Sequence, residues 1–353
     1  MFDRKHYVPV LRWKQAEREA LQYLESNIQD RITPLIELIP SNFKEKKTTP
    51  TFDLMLSQTI DGIFDSWGKK RFFIDLQHLD PNFRPPTGGH LLRRFGEEAD
   101  KRGLSYVPTT GLSRVRAYQE AVKVLSKKSK SGVCIRLCLS DLRRNKISSE
   151  LYDLLGLVGA SPKNSDLIID CQYITDNNLN FKNIYNEIPD LQDWRTFTVI
   201  GGAFSKNLSG FSVGQHELAR LDWMFWKKIL KSRPSFIRLP SYGDYTIQHP
   251  IYSEPPVRSN FSASIRYTSD DCWVIMRGEG VFNQDGPGYA QWPANAELLC
   301  DRSEFCGEDF CFGDQYIKDM SMQVMRPGNP TTWLRAGINH HLSFVVNQIS
   351  NFL

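Results

Sequence analysis

Several charged residues stand at or just beyond the ends of short apolar runs in this chain. The acidic ones are Glu37, Asp75 and Asp170, and Lys14 and Arg136 are basic residues at comparable positions. A carboxylate there could act as a general base or bind a divalent cation, and a basic side chain could hold an anion. Carboxylates without a nearby histidine favour Mg²⁺ or Ca²⁺ over zinc as the cation.

The same charges also have a structural interpretation. Unpaired buried charges are strongly unfavourable, so these residues must either pair with one another or bind something. The three acids could pair with Lys14, Arg136 and Arg12. Closed salt bridges beneath a filled opening would argue against a ligand-binding or catalytic site among these charges, whereas a carboxylate cluster and a bound anion in one concave opening would favour it.

A second group of candidate residues occurs later in the chain. Asp244 lies between Tyr242 and Tyr245, next to a glycine. An acid flanked by aromatic rings could stack a planar ligand and fix its orientation, although a turn with two surface tyrosines would look the same. Arg266 and Arg277 could close over that position.

The elements that would position these residues alternate between strands and helices. The predicted strands are Tyr7–Arg12, Ile32–Leu38, Arg71–Leu76, Leu104–Thr109, Val133–Leu139, Asp166–Cys171, Trp194–Gly201 and Pro234–Leu239. Alternation of this kind indicates parallel strands, and eight such units close a (β/α)8 TIM-type barrel. An open doubly wound sheet would need a glycine-rich loop after the first strand, where this chain has Trp13 and Lys14. The active sites of such barrels lie at the carboxyl ends of the strands, so the charges should meet at one opening.

The chain after the eighth predicted strand follows another pattern. Residues 264–268 and 272–276 flank a polar turn and predict a β-hairpin. A helix is predicted over 213–230, before the eighth strand, and three more helices are predicted after it, over 297–306, 313–322 and 333–349. We therefore expect strand–helix units over 1–239, an inserted hairpin and helical segment above the barrel opening over 240–330, and a closing helix over 331–353.

Composition limits the classes of partner and the compartment. The net charge of +4 is too small to indicate nucleic-acid binding, which we do not expect. The seven cysteines are an odd number and favour reduced thiols. A secretion signal and an apolar run of the ~18 residues that cross a membrane are both missing from the sequence pattern. We therefore expect a cytoplasmic protein without membrane contact.

The cysteine and histidine spacings do not predict a zinc site. Cys300, Cys306 and Cys311 lack the Cys-x-x-Cys pairs of common zinc sites. His340 and His341 are adjacent on a predicted helix and therefore point to different faces.

Five segments of the chain resemble the phage "beta protein" family, which also occurs in bacterial genomes. They are Tyr7–Lys14 with Glu17, Ala20 and Leu21 after it, Ile32–Glu37, Gly243–Tyr245, Ile265–Tyr267 and Arg277–Gly278. The resemblance implies a phage or bacterial setting and a role in host–phage conflict. It assigns no catalytic residue.

These observations lead to three functional hypotheses. The first is a barrel that binds or hydrolyses a phosphate-containing small molecule, such as a nucleotide, with a divalent cation such as Mg²⁺ as a candidate cofactor. In it, the catalytic candidates are Glu37, Asp75 and Asp170, and the ligand-binding candidates are Lys14, Arg136, Asp244, Tyr245, Arg266 and Arg277. The alternatives are a non-catalytic barrel that recognises a protein partner in host–phage conflict, and a metal-dependent nuclease.

Overall fold

A computed structural model describes residues 3–43, 51–86, 88–176, 181–232, 236–254 and 260–352. The strands are β1 Tyr7–Arg12, β2 Leu35–Glu37, β3 Phe72–Asp75, β4 Tyr106–Thr110, β5 Val133–Cys138, β6 Ser165–Tyr173, β7 Thr196–Gly202, β8 Gly214–Ala219, β9 Ser241–Asp244, β10 Ile265–Thr268 and β11 Cys272–Arg277. The α-helices are α1 Gln15–Gln22, α2 Ser26–Gln29, α3 Phe52–Trp67, α4 Leu91–Arg102, α5 Arg116–Ser129, α6 Ile147–Val158, α7 Phe181–Asn186, α8 Leu221–Lys231, α9 Gln291–Cys300, α10 Phe312–Ser321 and α11 Pro330–Asn351.

Eight of these strands form a closed, all-parallel barrel in the order β1-β2-β3-β4-β5-β6-β7-β9. The barrel closes where β9 pairs in parallel with both β7 and β1. The predicted TIM-type barrel is therefore confirmed, and seven of its strands overlap the predicted ones.

Side-chain alternation explains how charged residues enter the barrel interior. The interior is filled by an apolar cluster of Val8, Val10, Leu35, Phe73, Val107, Cys134, Ile168, Ile200 and Tyr245. Successive side chains of a strand point to opposite faces, so the residue two positions further along also points inward. Two positions beyond members of the cluster stand the charged residues Arg12, Glu37, Asp75, Arg136 and Asp170. A charged layer therefore lies directly above the apolar layer, toward the carboxyl ends of the strands.

The prediction of the eighth strand at Pro234–Leu239 was wrong. Pro234 lies outside the described residues, and the side chain of Ile237 is 75% exposed. The strand is instead β9, whose sequence Ser-Tyr-Gly-Asp is too short and polar to stand out as an apolar run. Position 243 of this strand has room only for glycine, because a Cβ there would lie 2.2 Å from Cγ2 of Ile200 and 2.7 Å from the carbonyl oxygen of Val8.

The prediction of one helix over 213–230 was also wrong in its first half. Residues 214–219 form β8, which pairs antiparallel with β11, and α8 begins only at Leu221. The three strands make a separate sheet in the order β10-β11-β8. Most side chains of β8 are exposed, so the segment has no apolar period to reveal it, and its partner strand lies some fifty residues further on.

The C-terminal part forms a lobe with its own core. The predicted hairpin is confirmed as β10 and β11, and the last two predicted helices correspond to α10 and α11. The helix predicted over 297–306 lies earlier, at α9. Trp292, Trp333 and Tyr267 belong to the core of this lobe. In the described part of the chain, no helix is long and apolar enough to cross a membrane.

Candidate functional site

The guanidinium of Arg136 lies at the centre of an ion-pair network in the charged layer of the barrel. Its Nη1 atom is 2.7 Å from Oε1 of Glu37 and 3.0 Å from Oδ2 of Asp75. Its Nη2 and Nε atoms are 2.8 Å and 3.0 Å from Oδ2 of Asp170. None of the four side chains is more than 1% exposed. The structure thus brings together four of the residues that the strand-end pattern selected.

Three further side chains that can carry a positive charge join this network. Nη2 of Arg114 is 2.8 Å and 2.9 Å from the two carboxylate oxygens of Asp75. Nε2 of His78 is 2.8 Å from Oε2 of Glu37, and Nε of Arg12 is 3.8 Å from the same oxygen. Three carboxylates therefore face three guanidinium groups and an imidazole, so the formal charges of the acids and the arginines cancel.

Burial and ion pairing act in opposite directions on Glu37. Burial raises its pKa, but Arg136, followed by His78 and Arg12, outweighs burial and holds the pKa well below the usual range of a glutamate. Glu37 is therefore ionised at neutral pH, and both of its oxygens already accept hydrogen bonds. The guanidinium of Arg136 occupies the space between the acids, where a bridging divalent cation would lie. Base catalysis or Mg²⁺ binding by these acids would require the network to open, and both stay predictions.

Asp244 and Tyr245 are consecutive, yet they point to opposite sides of the barrel wall. The Tyr245 hydroxyl points inward, accepts a hydrogen bond from Nη2 of Arg136 at 2.8 Å and donates one to Oδ2 of Asp170 at 2.7 Å. Asp244 points outward, where its Oδ2 is 2.9 Å from Nε2 of His341 on α11. Both side chains are buried, so the ligand contact expected of them stays a prediction.

A groove of about 720 Å³ lies beside this network, at the carboxyl ends of the neighbouring strands β7, β9 and β1. Its walls come from segments that follow these strands and from the hairpin of the C-terminal lobe. Arg12 belongs to both features, because it approaches Glu37 and also lines the groove. The charged residues of the lining are Arg12, Lys14, Lys206, Glu254, Arg266 and Arg277.

Four of these cations form no ion pair with any acid that the structure describes. They are Lys14, Lys206, Arg266 and Arg277. Nη1 of Arg266 donates to the carbonyl oxygen of Ile247 at 2.9 Å, and Nε of Arg277 donates to that of Leu208 at 3.2 Å. These bonds hold the side chains at the groove wall but leave their positive charge uncompensated.

Burial lowers the pKa of Lys14, Arg266 and Arg277. It lowers the pKa of Arg277, and it lowers the pKa of Arg266 to about 10, so both remain charged at neutral pH. Burial also lowers the pKa of Lys14, against the opposing effects of Glu17 and, more weakly, Glu254. Partly dehydrated cations in a concave site attract anions more strongly than fully solvated ones.

Comparison with known proteins places the chain in a family. The model of the Beta protein family matches residues 7–347. The chain belongs to the Beta protein family. The match extends from β1 into α11, so this family member carries both the barrel and the C-terminal lobe within the matched region, and the resemblance seen in the sequence is confirmed.

The other comparisons concern curated proteins and solved structures. None of the curated proteins matches the chain. Among solved structures, the YdjI aldolase from Escherichia coli K12 is similar over 98% of this chain and 90% of that chain, with a TM-score of 0.38 and 6% sequence identity.

Two parts of the site were missed by reasoning from the sequence. Arg114 follows β4 at the carboxyl end of the barrel, and a search of loops as well as strand ends would have found it. Lys206 and Glu254 also lie in segments that follow strands. No periodicity marks them, because loop residues are brought together by chain connectivity and packing.

Proposed function

We propose that this protein binds a phosphate-bearing small molecule in the groove at the carboxyl ends of β7, β9 and β1. The observation that carries the proposal is the convergence of Lys14, Arg266 and Arg277 on one cavity without an ion pair to any described acid. A phosphate group would supply the missing negative charge and accept charge-assisted hydrogen bonds from them.

A second cavity supports a ligand that also carries a planar ring. It has a volume of about 560 Å³ and shares Arg266 and Phe261 with the groove. The exposed aromatic ring of its lining is Phe261, whereas Trp292 and Trp333, which also line it, are only 0% and 3% exposed. A phosphate in the groove with a ring against this apolar wall would suit a nucleotide-like molecule, so nucleotides are the first class to test.

The closed ion-pair network favours binding over hydrolysis as the primary activity. Arg12 extends from Glu37 to the groove, where its Nη2 donates to the carbonyl oxygens of His249 and Pro250 at 2.7 Å and 2.6 Å. The carboxylates thereby help to hold the groove wall in place through Arg12. Hydrolysis by one of them would require the network to open when the ligand binds.

Calorimetric titration of the full chain with inorganic pyrophosphate, AMP and ATP, with and without Mg²⁺, tests the proposal. We expect at least one of these probes to bind. Arg266→Gln should weaken its binding about 10- to 100-fold, because a hydrogen bond to a charged group contributes about 1.5–3 kcal/mol.

Arg326→Gln is the matched control, since Arg326 is an exposed arginine of the same lobe and lies outside the groove lining. It should leave the affinity unchanged. Failure of all three probes to bind, or an equal loss of affinity in both variants, would overturn the proposal.

A protein-recognition function, as in host–phage conflict, is the second candidate. Two apolar side chains line the same groove while exposed to solvent, Ile251 at 56% and Phe261 at 43%. A protein captured from bacterial cells would support this candidate only if Ile251→Asp abolished capture while Val124→Asp, at an equally apolar exposed position on α5, did not. Equal capture by both variants would count against it.

A further inference from the structure

Cys311, Asp314 and His340 form a buried cluster in the C-terminal lobe, apart from the barrel network. The ligand atoms of these three residues all lie within 4.8 Å of one another. In the part of the chain that the structure describes, no other group of three histidine, cysteine, aspartate or glutamate residues meets this criterion. Cys311 precedes α10, Asp314 lies in its first turn, and His340 belongs to α11. We propose that this cluster binds a transition-metal ion of the Zn²⁺ type.

The hydrogen bonds of His340 prepare one ring nitrogen for a cation. Its Nε2 atom is 2.8 Å from the carbonyl oxygen of Thr268, which can only accept, so Nε2 carries the proton. The neutral ring then directs the lone pair of Nδ1 toward Oδ2 of Asp314, 2.7 Å away. Two electron-rich atoms at this distance need either a shared proton or a metal ion between them. A ligating histidine commonly donates its other N–H to a backbone carbonyl in this way.

The carboxylate of Asp314 and the thiol of Cys311 are placed to bind the same ion as Nδ1 of His340. The hydroxyl of Tyr267 donates to Oδ1 of Asp314 at 2.7 Å, which fixes the carboxylate and leaves Oδ2 for the cluster. Sγ of Cys311 is 2.9 Å from the same Oδ2. The Cys-x-x-Asp spacing brings both ligands to one side of the helix start, as Cys-x-x-Cys does in common zinc sites. One sulfur, one nitrogen and one oxygen ligand suit zinc better than Mg²⁺ or Ca²⁺.

Binding would change the cluster in two definite ways. The thiol of Cys311 would lose its proton to solvent, because the thiolate is the ligand. Oδ2 of Asp314 would move away from Nδ1 of His340 and from Sγ of Cys311 to about 3.3–3.7 Å, the separation set by tetrahedral bonds of about 2.0–2.3 Å. The fourth position would take a water molecule.

Metal analysis and cobalt substitution of the full chain test this site. Protein stripped with a chelator and titrated with Zn²⁺ should bind about one ion per chain. Replacement by Co²⁺ should give the absorption bands of tetrahedral coordination together with a thiolate-to-cobalt charge-transfer band. Zinc should also raise the melting temperature of the stripped protein, because the ion binds the folded state.

Cys311→Ser should abolish the charge-transfer band, and Cys138→Ser, at a half-buried thiol of the barrel, should keep it. The measurements on the unmodified chain stand even if Cys311→Ser fails to fold. Absence of zinc binding by the stripped protein, or a cobalt spectrum without the thiolate band, would show that the cluster is held by protons alone.

Discussion

Arg136 on β5 and Asp170 on the neighbouring β6 share a two-point contact, in which Nε and Nη2 of the arginine approach the same carboxylate oxygen at 3.0 Å and 2.8 Å. The same guanidinium also contacts Glu37 and Asp75 from across the barrel. One side chain therefore links strands β2, β3, β5 and β6 near their carboxyl ends.

Removal of this central charge should destabilise the barrel strongly. Arg136→Met would leave three buried carboxylates with fewer partners, and we expect a loss of about 3–5 kcal/mol in the free energy of unfolding. Urea denaturation measures it. Arg116→Met breaks an exposed pair with Glu120 and should cost less than about 1 kcal/mol. Similar losses for the two variants would contradict the importance of the network.

The close packing around Gly243 on β9 gives a second prediction. Gly243→Ala would push a Cβ against the Val8 carbonyl and the Ile200 side chain, at a cost of about 3 kcal/mol or more. Gly156 is exposed in α6, and a Cβ there meets nothing within 4 Å. Gly156→Ala should therefore stabilise the protein by about 0.5–1 kcal/mol. Thermal or urea unfolding of the pair compares the two positions, and a neutral Gly243→Ala would show that the wall adjusts.

Asp222 should make stability depend on pH. Burial, with a contribution from Asp244, raises its pKa from 3.8 to about 7, while its Oδ1 has no hydrogen-bond partner. The folded protein therefore holds this proton more tightly than the unfolded chain, so the contribution to stability is full below about pH 4 and is lost as pH rises toward 7. At about 1.4 kcal/mol per pKa unit, the loss approaches 4 kcal/mol.

Comparison with Asp222→Asn isolates that contribution from those of other acids. The free energy of unfolding of the variant, minus that of the parent protein, should increase between pH 4 and 7, as measured by urea denaturation at each pH. A difference that is constant over this range would show that Asp222 titrates normally in the folded protein.

The acid in the groove should oppose ligand binding. Glu254 is exposed and lies in the lining with the unpaired cations. If pyrophosphate binds there, Glu254→Gln should strengthen its binding about two- to fivefold, the range expected for an exposed charge. Glu308→Gln, at an acid outside the groove lining, is the control. A weaker affinity in Glu254→Gln would place the anion elsewhere.

The strand-end charges could be predicted because they depend on local rules. Alternation places Glu37 two residues after the interior Leu35, and the same step leads from Cys134 to Arg136. Alternation also separates Asp244 from Tyr245, but only once the boundaries of β9 are known. With the eighth strand placed at 234–239, that split between inside and outside could not be derived.

The groove and the buried cluster of Cys311, Asp314 and His340 depend on contacts between residues that are distant in the sequence. The guanidinium of Arg266 donates a hydrogen bond to the carbonyl oxygen of Ile247. His340 on α11 contacts Asp314 on α10. The cysteine spacings argued against a zinc site because a sequence motif detects only ligands that lie close together along the chain. A ligand set that joins a Cys-x-x-Asp turn to a histidine on another helix leaves no single-segment motif.

The sequence by itself determined the barrel, the inward charged layer and the family, because strand periodicity and helical alternation are written into consecutive residues. Only the tertiary structure decided that the charges close into a neutral network, that four other cations lie in a groove beside it without a described ion pair, and that Asp244 faces outward. Those outcomes depend on which side chains approach within a few ångströms in space, and the energy of a charge depends on that distance and on its burial.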